Sequence, residues 1–71
     1  MDLLALARFE ISDIDTSADP MYFGFQGPNG EWYIMRFFAS GAVRYVYGTE
    51  AYASAWVDRA VLNYVYFSAA F

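Results

Sequence analysis

Cysteine, histidine and lysine are all absent from this chain of 71 residues, and proline occurs twice. Without cysteine or histidine there are no disulfide staples, no thiol nucleophile, no imidazole base and no structural zinc set. Neither a metal nor a cofactor is expected, and redox compartment cannot be read from cysteine usage. Positive charge is scarce as well: four basic residues, all arginine, face eight acidic ones, for a net charge of −4. Affinity for a phosphate backbone comes from clustered positive charge, so nucleic acid is not an expected partner. Long hydrophobic runs are missing too. The stretch Leu3 to Ala7 has no basic flank and is too short for a signal-peptide core, and nothing reaches the ~18 residues of a membrane span. The expectation is a soluble chain made without a secretory signal. An enzyme here would need a carboxylate pair, and no two acidic residues sit in an apolar setting that raises one pKa. No catalytic residue is assigned.

What the chain has in excess is aromatic surface. Sixteen positions are Phe, Tyr or Trp, and 59% of the residues are hydrophobic. A domain near the lower size limit for independent folding has too little interior for that many rings, so a partner or further copies of the chain should cover part of them.

Three zones follow along the sequence. Residues 1–20 are the polar, acidic end and read as an arm or docking segment. Within it Leu3, Leu4, Leu6, Phe9, Ile11 and Ile14 fit either a long loop or a short helix followed by an extended segment lying on another surface. Residues 21–71 read as a single small β-rich domain.

The middle of that domain is the most informative. Met21 to Gln26 and Glu31 to Phe38 are aromatic and β-branched, and Gly27-Pro28-Asn29-Gly30 between them has proline to set φ and glycine to accept φ > 0. A three-residue loop with a glycine bulge puts Tyr22 opposite Arg36, Phe23 opposite Met35 and Phe25 opposite Tyr33. The same construction at Ala39-Ser40-Gly41 puts Phe37 opposite Val43, Arg36 opposite Arg44, Met35 opposite Tyr45 and Tyr33 opposite Tyr47. These registers sort the side chains by face. Met21, Phe23, Phe25, Tyr33, Met35, Phe37, Val43, Tyr45 and Tyr47 form the expected core face. Tyr22, Gly24, Gln26, Trp32, Ile34, Arg36, Phe38, Ala42, Arg44 and Val46 form the expected interface face.

Thr49 is a candidate N-cap for a helix from about Glu50 to Ala60, whose stripe of Tyr52, Trp56 and Ala60 would cover the core face. Val61 to Phe67 then reads as a last strand, and Phe71 as an anchor in a neighbouring copy. The fold class is mainly β with one short helix (α+β), an antiparallel meander of three to four strands with the helix on one face.

Three constellations invite a chemical reading. Arg36 and Arg44 face each other across two strands and call for an anion: a salt bridge to Glu10, Asp13, Asp15 or Asp58 is the simpler account, a bound carboxylate, sulfate or phosphate the functional one. Asp13, Asp15 and Asp19 have roughly the alternate spacing of a calcium loop but lack its glycine and closing Glu, which favours a solvated loop. Trp32, Tyr22, Trp56, Tyr64 and Tyr66, with Gln26 and Asn63, could form a sugar-stacking platform, although core and interface use of such rings is commoner.

The string Gly30-Glu31-Trp32-Tyr33-Ile34-Met35-Arg36, followed by Arg44-Tyr45, Tyr47-Gly48 and Tyr52-x-x-x-Trp56-x-x-Arg59-x-x-Leu62-x-Tyr64, resembles a group of short proteins of tailed bacteriophages and prophages. The likeness spans about residues 22 to 67. It implies a virion setting and brings no catalytic motif with it. The expected role is a virion structural protein that decorates or cements the capsid or forms part of the tail or its fibres, with localisation in the virion. Its expected partners are copies of itself, as a trimer or dimer, and a larger virion protein; a host glycan is the alternative. Trp32, Ile34, Arg36, Phe38, Arg44, Val46, Tyr64, Tyr66 and Phe71 are the expected interface residues.

Overall fold

The computed structural model describes residues 8–71. Four antiparallel strands form one sheet in sequence order: β1 (Glu10–Asp15), β2 (Met21–Gln26), β3 (Trp32–Phe37) and β4 (Val43–Gly48). Helix α1 (Tyr52–Val57), a 3₁₀ turn (Arg59–Val61) and helix α2 (Phe67–Ala70) follow. The architecture is therefore a small α+β meander, as its turn chemistry and alternation predict.

Both central registers match those derived from the turns. Tyr22 pairs with Arg36, Phe23 with Met35 and Phe25 with Tyr33; Arg36 pairs with Arg44, Met35 with Tyr45 and Tyr33 with Tyr47. Gly30 and Gly41 carry φ of 86° and 98°, the left-handed backbone that glycine adopts at no steric cost. The Gly27 amide donates to Glu31 O at 2.7 Å and the Phe38 amide to Ala42 O at 2.8 Å, closing the two loops.

The faces are the reverse of the expectation. The buried core consists of Tyr22, Trp32, Ile34 and Tyr64, with Val46, Tyr52, Ala55, Trp56 and Leu62 packed against it. Helix α1 thus covers the side assigned to partners, and the reason lies in two glycines. A Cβ on Gly24 would collide with the Tyr52 hydroxyl and come 3.0 Å from the Trp56 ring, and one on Gly48 would collide with the Trp32 ring. The bare backbone at these points makes hollows that admit large rings, and only the Tyr22 side of the sheet has them.

Other boundaries move as well. Residues 10–15 are an edge strand of the sheet, hydrogen-bonded to β2 with a register shift between Ile11 and Asp13; Leu3, Leu4 and Leu6 lie outside the described residues. Helix α1 begins after Ala51, which has a left-handed φ of 56° and makes no side-chain cap, so Thr49 does not cap it. The expected last strand is a single bridge, Val65 to Tyr45, because the chain turns into α2 at Phe67. No helix among the described residues is long and apolar enough to cross a membrane.

Candidate functional site

Of the nine expected interface residues, three are interior. Ile34 has no exposed surface, and Trp32 and Tyr64 are buried beside it; the Trp32 indole N–H donates to Glu50 O at 2.9 Å, fastening the loop before α1. Val46 packs against the same core. A folded chain cannot offer these groups to a neighbour. Tyr22 is buried with them, so three rings of the expected sugar platform are core. Phe71 lies on its own sheet, 5.2 Å from Tyr33 and 5.5 Å from Tyr47 between ring centroids, rather than extending towards another copy.

The side expected to be core is the open one. Cross-strand pairing places Ile11 and Ile14 on the same face as Phe23 and Phe25, continuing through Tyr33, Met35, Tyr45 and Tyr47. No charged residue interrupts it among the described residues. Phe9, Phe67 and Phe71 cover it in part, Phe9 edge-on to Tyr33 at 5.1 Å and Phe67 edge-on to Tyr45 at 5.2 Å. Burial there pushes the Tyr33 hydroxyl pKa up. Towards β1, Ile11 and Ile14 have 51% and 58% of their surface exposed. Polarity favoured the other face, since Gln26, Arg36 and Arg44 lie on the side that the helix covers; the glycines at 24 and 48 mark the face that the helix takes.

The three aspartates with calcium-loop spacing, Asp13, Asp15 and Asp19, each have a structural use. Asp13 accepts from Tyr52 Oη at 2.8 Å, Asp19 from the Ala39 amide at 2.8 Å, and Asp15 from Arg59 Nη2 at 2.7 Å. The Ser17 hydroxyl and then Arg59 hold the Asp15 carboxyl down at about 2. Among the described residues, no cluster of three metal-ligating side chains forms, so the aspartates do not converge as a calcium loop requires.

Arg36 and Arg44 stand directly opposite each other, where like charges cost about 0.2–1 kcal/mol. Neither pairs with a described carboxylate. Instead the Arg36 guanidinium lies 4.3 Å from the Tyr64 ring centre and 5.0 Å from that of Phe38, and Arg44 lies 4.0 Å from that of Tyr66. Arg44 Nη1 also donates to Val43 O at 2.7 Å. Arg36 Nε and Tyr64 Oη are both buried without a hydrogen-bond partner among the described residues. Loss of the Coulomb partner is offset here by cation–π contact. Asp15, one of the four carboxylates expected as a salt-bridge partner of this pair, binds Arg59 instead.

A shallow cleft of about 400 Å³ lies at the end of the β1–β2 pair, lined by Arg8, Glu10, Ser12 and Gln26 among others. Gln26 Nε2 donates to Ser12 Oγ at 2.7 Å across it. Among the described residues no aromatic ring lines it.

No protein-family model matches the chain, and no curated protein or solved structure matches it.

Proposed function

We propose that this protein is a bacteriophage virion structural subunit that assembles with copies of itself through the uncharged face of its sheet. One observation carries the reading: among the described residues, a continuous apolar surface running from Tyr47 to Ile11 holds no charge, and Ile11 and Ile14 at its β1 end are more than half exposed. A chain of net charge −4 repels its own copies, and the approach that avoids apposing carboxylates is through this face. A symmetric pairing of one patch on itself would bury Ile11 and Ile14 against their counterparts and complete the cover that Phe9, Phe67 and Phe71 begin. The Trp32-to-Arg36 strand and the Trp56-to-Tyr64 segment, which resemble short phage proteins, support the virion setting, either as capsid decoration or cement or as part of the tail.

The test is sedimentation velocity over a dilution series with the intact chain and with Ile11→Glu/Ile14→Glu. Both side chains are more than half exposed, so the double variant should keep its fold. A dimer or trimer for the intact chain and a monomer for the variant is the expected result. A folded, soluble monomer at every concentration for the intact chain would remove self-assembly from the reading and direct attention to glycan arrays.

A further inference from the structure

We propose that Arg36 and Arg44 form a binding site for a carboxylate carried by an acidic segment of a protein partner. The two arginines project from neighbouring positions of β3 and β4 on the helix-bearing side of the sheet, the opposite side from the apolar face, so the site does not depend on self-assembly.

The geometry is that of a prepared receptor. A guanidinium held over a ring is fixed in place by cation–π contact while its outward N–H groups can still donate to an anion. Arg36 is held in this way by Tyr64 and Phe38, and Arg44 by Tyr66. Both heads are further restrained: Arg36 Nε is enclosed, and Arg44 Nη1 is tied to Val43 O. Little side-chain freedom is left to lose on binding.

Two arginines at directly opposed strand positions, neither paired with a described carboxylate, attract an anion. In the same chain Arg59 has its carboxylate, Asp15, at 2.7 Å, and Asp13 and Asp19 are engaged by Tyr52 and the Ala39 amide. The chain's net charge of −4 weighs more against a highly charged polyphosphate than against a single carboxylate. A single carboxylate on a protein surface meets the arginines and little else. Tyr66, 64% exposed, gives such a segment a ring to lie against.

The probe is an acetylated tetra-aspartate peptide, titrated into the full chain while the N–H resonances of the arginine Nε groups are followed by NMR. Sodium chloride at matched ionic strength and inorganic phosphate serve as comparators. Saturable shifts of the Arg36 and Arg44 resonances with the peptide, and affinity about tenfold lower in Arg44→Gln, are expected for loss of one charge-assisted pair. Arg44→Lys, which keeps the charge but loses the fork, should fall between them. Shifts reproduced by chloride, affinity unchanged in Arg44→Gln, or equally tight binding of phosphate would overturn the assignment. The Ile11→Glu/Ile14→Glu variant should bind the peptide as the intact chain does, which keeps failure of this site separate from failure of the assembly reading.

Discussion

Tyr52, on the helix that crosses the sheet, donates its hydroxyl to Asp13 on the outermost strand at 2.8 Å. The bond joins two parts of the chain separated by 39 positions and ties β1 to α1 over the top of Gly24. Burial and the neighbouring carboxylate both raise the Tyr52 hydroxyl pKa, burial the more, so the group stays a donor at any physiological pH. Replacing Tyr52 by Phe keeps the ring and removes the donor. A loss of about 1 kcal/mol in urea unfolding is expected, together with faster amide hydrogen exchange in β1. Unchanged exchange would mean that backbone pairing with β2 alone holds that strand.

Gly24 is the point on which the covering helix rests. Gly24→Ala should destabilise the fold by about 1–3 kcal/mol, because the added methyl overlaps the Tyr52 hydroxyl and crowds the Trp56 ring. The same change at Gly27 meets only the side chain of Glu31, whose flexible end can move aside, and should cost less. Thermal unfolding of the two variants side by side makes the comparison, and equal midpoints would contradict it.

Acid stability should depend on Asp15. Its carboxyl titrates at about 2 instead of the usual 3.8, so the folded state favours the charged form. The resulting stabilisation is complete above pH 3.8 and is lost as the pH falls towards 2. Asp15→Asn should flatten the stability profile across that window. Arg59→Gln should flatten it only in part, since the Ser17 hydroxyl, at 2.6 Å from Asp15 Oδ1, is the larger influence and remains. Urea unfolding between pH 2 and pH 5 separates the two, and identical profiles for all three proteins would dismiss the role.

Much of the backbone was legible because it depends on neighbours along the chain. Gly30 and Gly41 set their turns locally, and each turn dictated a register that the sheet obeys pair by pair. The opposition of Arg36 and Arg44 follows directly from that register, so half of the candidate carboxylate site could be read before any coordinates. Less local features were harder to see. Thr49 has the side chain of an N-cap, yet the indole of Trp32 draws the backbone of Glu50 towards it and delays the helix to Tyr52. Val61 to Phe67 has the composition of a strand, but only Val65 meets β4 before the chain turns away.

By itself the sequence determined the meander, its two inner registers and the sorting of side chains onto two faces. It also set the excess of aromatic surface that a small domain cannot bury. Only the tertiary structure decided which face became the core, because the absence of charge marked the face that the helix does not cover. Steric fit made that choice: hollows at Gly24 and Gly48 accept rings from Tyr52, Trp56 and Trp32 on one side alone. The aromatic face opposite was thereby left with the partial cover of Phe9, Phe67 and Phe71, and the arginine pair was set over the rings of Tyr64 and Tyr66.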